Sequence, residues 1–201
     1  MKLVALIKPK RQVFKEIKYY KKKIFNEIGS QTYLDHLPHI TIFSLNVDEK
    51  KINKNHKKSI TLKKIYKKDM ILNVKKRFYF KNDPLTKKTT FAIFFEKNSS
   101  LDLIQKKLLI NFKNTLILKK KKVVKNNFDK NYNLYGYHFV NTSWKPHCTI
   151  ASVDKSLSKN KVFIEFLKQK KIYSEKIIFI YFYEYFGGKH KLLWKNKIRY
   201  E

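Results

Sequence analysis

Two of the chain's six histidines stand in the same setting: Pro38-His39-Ile40-Thr41-Ile42 returns 108 positions later as Pro146-His147-Cys148-Thr149-Ile150. Histidine's unperturbed pKa near 6.5 lets one ring take a proton while another gives one. A threonine hydroxyl can donate a hydrogen bond to an oxygen on which charge builds. Two such His/Thr pairs are the ingredients of one acid–base site. The runs are rich in β-branched residues and read as strands, on which alternate side chains face opposite sides. His39 and Thr41 then share one face and Ile40 and Ile42 the other; His147 and Thr149 likewise oppose Cys148 and Ile150. Each proline suits the first position of its strand, where a missing N–H breaks no central ladder bond. Ser44 and Ser152 each lie five residues after their histidine, and Val47-Asp48 and Val153-Asp154 follow. A second P-H-x-T-I arises by chance in a chain this long roughly once in 1,000, so the pair reads as an internal repeat.

With two H-x-[T/S] motifs, one on a strand in each half, the sequence resembles the two-histidine phosphoesterase superfamily, and within it the RNA 2′,3′-cyclic phosphodiesterases, also called 2′-5′ RNA ligase-like proteins. The resemblance is specific at the motifs, and the order of elements is compatible with it from end to end. It implies an α+β fold of two pseudo-symmetric half-domains, each an antiparallel sheet with flanking helices, with the motif strand central in each half and the two facing across a cleft. It implies a phosphoric diester hydrolase that opens the 2′,3′-cyclic phosphate ends of RNA and leaves a 2′-phosphate. His39 and His147 would act as general acid and base on opposite sides of the phosphorus. Thr41 and Thr149, roughly 7 Å from their histidines at the Cα, would donate to the non-bridging oxygens, with no metal or other cofactor. Run backwards, the same chemistry joins a 2′-hydroxyl to the phosphate. The sequence does not say which histidine is acid and which is base. Two other readings stay open: cleavage of a cyclic di- or oligonucleotide or a nucleotide-derived cyclic phosphate, and a non-catalytic RNA-binding module whose lysines supply the affinity.

The remaining reactive side chains make weaker constellations. His36 lies three residues before His39, but no third ligand sits at helpful spacing for a metal. His56, His138 and His190 have no motif around them, and Asp35 and Glu184 form no acid/base pair. Cys148 is turned away from His147 by strand alternation and reads as a buried small hydrophobe rather than a nucleophile. Phe179, Tyr181, Tyr183 and Tyr185 share one face of a late strand, and such platforms stack bases; packing under helices, with the hydroxyls at the rim, is the plainer explanation for any one of them. Tyr183, Tyr185 and Trp144 are the candidates for base stacking.

The chain as a whole bounds what these residues can do. Its 201 residues suffice to bury roughly 70% of the unfolded surface. A hydrophobic share of 43% and an aromatic share of 15% exclude a disordered chain despite the charge. The 47 basic residues against 15 acidic ones give a net charge of +32, which attracts polyanions over long range. RNA or a nucleotide phosphodiester is the expected partner, with no membrane, no obligate protein partner and a monomeric state. Only Arg11, Arg77 and Arg199 are arginines, and the Lys, Asn and Ile abundance also fits an A/T-rich genome, so function and composition both explain the charge. Lysine meets phosphate as a point charge rather than a bidentate fork, which does not suggest sequence-specific readout. One cysteine excludes an internal disulfide and agrees with a reducing compartment. Met1 to Ile7 is too short an apolar run for a secretory signal, and no stretch approaches the 18 or so apolar residues of a membrane span. A soluble, cytoplasmic protein is expected.

The elements that must position the motifs can be read in order. Leu3 to Ile7 is a buried strand closed by Pro9. Val13, Ile17, Tyr20, Ile24 and Ile28 recur at helical steps up to Gly29. A loop from Ser30 to Leu37 leads to the first motif strand, about 38–45. Residues 48–59 read as a polar loop or weak helix, then 60–66 and 71–80 as strands. Asn82-Asp83-Pro84 is a turn and the candidate boundary of a single bilobal domain, half one about 1–84 and half two about 85–201, with the terminal strands able to belong to either lobe. In the second half, 89–96 is a strand, and Ser99 with Asp102 suggests a capping box before the helical stripe Leu101, Ile104, Leu108 and Phe112. Residues 113–129, with the run 119–122 of four lysines, resist assignment. The aromatic residues Tyr132, Tyr135, Tyr137, Phe139 and Trp144 approach the second motif. Val162, Phe163, Phe166 and Leu167 mark a helix, and strands at about 177–186 and 192–200 flank the hairpin signal Gly187-Gly188.

Overall fold

In the computed structural model, which describes residues 1–58, 60–62, 70–83, 85–118 and 123–200, the chain runs β1 (Lys2–Ile7), α1 (Arg11–Ile28), β2 (Ile40–Asn46), β3 (Ile60–Leu62), β4 (Ile71–Phe80), β5 (Thr89–Phe95), α2 (Ser99–Phe112), α3 (Asn127–Tyr135), β6 (His147–Val153), α4 (Lys161–Lys168), β7 (Ser174–Lys176), β8 (Phe179–Phe186) and β9 (Lys189–Tyr200). The lysine run at 119–122, Pro84 and residues 63–66 of the expected third strand lie outside the described residues. The hydrophobic stripe of α1 is buried at Val13, Ile17, Tyr20 and Ile24, and Gly29 takes the positive φ of 76° that ends it. Gly187 and Gly188, at φ 54° and 81°, supply the two left-handed residues of the tight turn joining β8 to β9. Asn98, not Ser99, caps α2: its side chain accepts from the Leu101 amide at 2.9 Å, while Asp102 pairs with Lys97. The helix α3 has no counterpart in the sequence reading, because only its cap residue Asn126 and the glycine after it, Gly136, mark its ends.

Two sheets form, in the orders β2-β1-β8-β9-β3 and β6-β5-β4-β7. The fold is α+β, with two half-domains, as expected. Among the described residues all the strand pairs are antiparallel except β3 against β9, which is parallel. The motif strands β2 and β6 are not in the middle of their sheets but at an edge of each, where they pack against one another. They are peripheral in each sheet and central in the molecule. An exposed edge would be open to pairing with other chains; the C-terminal end of β2 is covered by residues 115–117, where Asp48 N–H donates to the Thr115 carbonyl at 2.7 Å and Ile117 N–H to that of Asn46 at 2.8 Å.

The helices pack across the halves. The helix α1 follows β1 of the first sheet yet packs with α4 against the second, through the Tyr20–Phe166 rings at 5.1 Å and a bidentate pair in which Arg77 of β4 donates to Glu16 at 2.7 and 2.9 Å. The helix α2 follows β5 of the second sheet and packs beneath the first: Phe112 lies 5.7 Å from Phe43 and 5.8 Å from Phe182. One continuous apolar core results, containing buried side chains of both sheets and of α1, α2 and α4. No helix among the described residues is long and apolar enough to cross a membrane.

Candidate active site at the meeting of the two motif strands

Local sequence sets the face of each motif. Ile40, Ile42, Cys148 and Ile150 are buried at 0–1% exposure, while His39, Thr41, His147 and Thr149 are partly open. The alternation expected from the repeat is therefore present in both copies. The strands begin two residues after Pro38 and one after Pro146, so the prolines lie just upstream of the ladders rather than on their first rungs. The Pro146 carbonyl accepts from the Phe95 amide at 2.9 Å, which fixes the entry to β6.

Each histidine is held in the same way. His39 Nδ1 lies 2.7 Å from the Leu37 carbonyl and His147 Nδ1 lies 2.8 Å from the Lys145 carbonyl. A carbonyl can only accept, so Nδ1 carries the hydrogen in both rings and Nε2 is left as the atom able to exchange a proton. Both rings are reachable from the cleft yet crowded by protein, and this desolvation lowers both pKa values, that of His39 to about 4. The carbonyl bonds oppose the shift in each case. His39 is disfavoured further as a cation by His190, His36 and Lys21, whereas the Asp83 carboxylate favours the charged form of His147.

The two motifs are joined directly. The His39 backbone lies against the Cys148 thiol, whose pKa burial pushes up to about 12, and the Trp144 indole N–H donates to the Thr41 carbonyl at 2.9 Å. The thiol is thus a packing group under the site, in the place the alternation predicts. Trp144, 3% exposed, binds the two halves together; its buried ring offers no platform for a base. Tyr183 is also nearly covered, at 5%, with Lys8 Nζ 5.2 Å from its ring centre. Of the three aromatic candidates only Tyr185 keeps a partly open ring, with Lys2 Nζ 4.7 Å above it.

The cleft walls follow from register. On the first sheet Thr41, Leu6, Tyr181 and Lys195 form one cross-strand row. On the second, His147 lies beside Phe94, with the rings stacked at 5.4 Å, and Thr149 beside Ala92, with Phe78 one strand further along that row. Phe80 reaches the His147 ring edge-on at 6.0 Å. One wall is lysine and tyrosine; the other is phenylalanine, with Lys76 next to Phe94 and its Nζ 4.2 Å from the Phe78 ring centre. Each sheet coils strongly enough to bring diagonal corners together: His190, near the start of β9, comes within 5.5 Å of the His39 ring, and His36 within 6.0 Å of His190. Among the described residues, no three His, Cys, Asp or Glu side chains are placed to hold a metal ion.

Sequence reasoning missed two groups. His190 had no motif, and only the coil of the sheet brings it to His39. Lys21 looks like one more helix lysine, but it is buried and its Nζ donates to the carbonyls of Tyr33 and of His36, the latter at 2.9 Å. Burial lowers its pKa to about 8, so at neutral pH it is still a charged donor pinning the arm that carries His39. The arm is also tied to β6, where Ser152 N–H donates to the Thr32 carbonyl at 2.9 Å. Ser152 itself faces a buried hydroxyl network with Thr90 and Thr86 rather than the cleft.

No family model matches the chain, and no curated protein is recognisably similar to it in sequence. Among solved structures, TT0787 of Thermus thermophilus aligns over 100% of both chains with a TM-score of 0.60 at 12% identity. LigT of Escherichia coli, solved with NADP+, aligns over 98% of this chain and 97% of its own with a TM-score of 0.48, also at 12% identity. The likeness to TT0787 is one of fold.

Proposed function

We propose that the protein is a phosphodiesterase that opens 2′,3′-cyclic phosphate ends of RNA, with His39 and His147 as the acid–base pair. The observation that carries this reading is the duplication of a reactive geometry: two histidines, each with Nδ1 anchored to the carbonyl two residues back, each with a half-open threonine next along the same face. A fold alone would not require either ring to be oriented so. One neutral Nε2 takes a proton from water as its oxygen bonds to phosphorus. The other, protonated, gives its proton to the ribose oxygen as the P–O bond breaks, leaving a 2′-phosphate and a free hydroxyl. Thr41 and Thr149 hydroxyls meet the charge that develops on the non-bridging oxygens. A bound phosphodiester anion raises the pKa of both rings and so helps to protonate the acid in a site that otherwise keeps it neutral. In this reading the enzyme needs no cofactor, is monomeric and works in the cytoplasm.

A substrate panel tests the proposal. Linear RNA with a 2′,3′-cyclic end is expected to be converted in the presence of a chelator, ahead of cyclic dinucleotides and nucleotide-derived cyclic phosphates. Consumption of a cyclic dinucleotide alone would replace RNA ends as the substrate, and binding of RNA without any product would make the protein a binding module.

A further inference from the structure

Two concavities open beside the cleft, and they adjoin. The first, of about 340 Å3, is lined by Leu37 and Pro38, immediately before His39, by Tyr181 of the cleft wall, and by Lys8, Lys10 and Phe14. The second, of about 750 Å3, starts at the same Phe14 and follows the outer side of α1 past Lys15, Lys18 and Lys22 to Phe25. Phe14, Lys18, Lys22 and Phe25 lie at steps of three and four, so they form one stripe of the helix. That stripe is not the one α1 uses for folding, since Val13, Ile17, Tyr20 and Ile24 already face the core. Phe14 and Phe25 nonetheless remain 37% and 56% exposed. Lys8, Lys15, Lys18 and Lys22 enter no salt bridge among the described residues. Asp35 is the one carboxylate among the described residues of either lining.

We propose that the single-stranded body of an RNA substrate leaves the cleft between Tyr181 and Pro38, passes Phe14 and lies along the outer face of α1, its phosphates on Lys15, Lys18 and Lys22 and its bases on Phe14 and Phe25. The inference rests on the phosphodiesterase reading in taking the cleft as the start of the track. Alternating cations and aromatic faces in a groove are what a single strand requires: the lysines follow the backbone and the rings stack any base without reading its identity. An acidic peptide would use the lysines but not the exposed rings of Phe14, Tyr19 and Phe25. A membrane surface favours a continuous apolar helix face, and α1 buries its own in the core. From Phe14 to Phe25 the helix covers about 16 Å, which extends the enzyme's reach beyond the terminal nucleotide.

The test is equilibrium binding of unreactive single-stranded RNAs of increasing length, ending in a 2′-phosphate, by the wild type, by a Lys15→Glu/Lys18→Glu/Lys22→Glu variant and by its all-Gln counterpart. The wild type should bind more tightly with each nucleotide over about the first four or more. Both variants should lose that length dependence, bind the longer RNAs about tenfold or more weakly, and show a salt slope shallower by about two, three phosphates at roughly 0.7 each. Turnover of a cyclic mononucleotide should be unchanged. Equal length dependence and salt slope in wild type and variants would overturn the track, as would a loss confined to acidic peptides or anionic vesicles. If RNA binding follows α1 but no cyclic end is ever opened, the track stands and the phosphodiesterase reading falls.

Discussion

At the scale of single residues, two imidazoles are tuned in the same way. Each uses Nδ1 to grip a carbonyl and offers Nε2, and each is held neutral by desolvation within the cleft. A free-enzyme acid must be protonated to work, and a lowered pKa means that this form is lost at a lower pH than usual. Both limbs of the kcat/KM profile therefore shift downward, and its maximum is expected below pH 6.5, the ordinary histidine value. A kcat/KM that climbs steadily through pH 8 would contradict this tuning. The residues in the motifs were legible because strand alternation is strictly local: Ile40, Ile42, Cys148 and Ile150 had to face the core if His39 and His147 faced out. His190 was not, because nothing near it in sequence announces a corner that only the coil of a sheet folds back onto His39. Trp144 misled for the opposite reason. Its position before the motif suggested the cleft, while its indole N–H found the Thr41 carbonyl and drew the ring inside.

At the scale of elements, the arm from Tyr33 to His36 is where the position of His39 is set. Tyr33 adopts a left-handed φ of 75°, a conformation disfavoured for a residue with a side chain, and Lys21 gathers the carbonyls around it. Replacing Lys21 by Met keeps the aliphatic stem and removes the donor. We expect kcat to fall by about tenfold to a hundredfold through misplacement of His39, with KM for a cyclic mononucleotide little changed and the thermal midpoint moved by only a few degrees. A matched fall in stability and activity, with no activity lost at temperatures where the variant is fully folded, would show that Lys21 holds the fold and not the site. Most elements were readable from periodicity, α1, α2, α4 and β4 among them. Strand β7, three residues long, carries too little pattern to be recognised, and the parallel pairing of β3 with β9 is a contact between distant segments that no local signal encodes.

At the scale of the molecule, the two halves are interlocked rather than merely apposed. Helices α1 and α2 each lie under the sheet of the opposite half, and the last two strands return to complete the first sheet. The Arg77–Glu16 pair fastens α1 to β4 with both side chains at least 95% buried. Arg77→Ala would leave Glu16 charged and unpaired, which costs about 3–5 kcal/mol, measured as a drop in the urea midpoint. The double change Arg77→Met/Glu16→Leu should recover most of that loss. A single variant as stable as the wild type would contradict the view that this pair fastens α1 to the second sheet. The interlocking matters for function because it makes the separation of β2 and β6 a property of one core, and so fixes His39 against His147.

The most direct test of that conclusion is turnover of a short RNA with a 2′,3′-cyclic phosphate by the wild type, His39→Ala and His147→Ala proteins, with a chelator present. The account predicts conversion to a 2′-phosphate end by the wild type and a loss of roughly 10²–10⁴ in kcat in each variant, with folding and RNA binding preserved. A variant that keeps the wild-type rate would contradict the two-histidine mechanism.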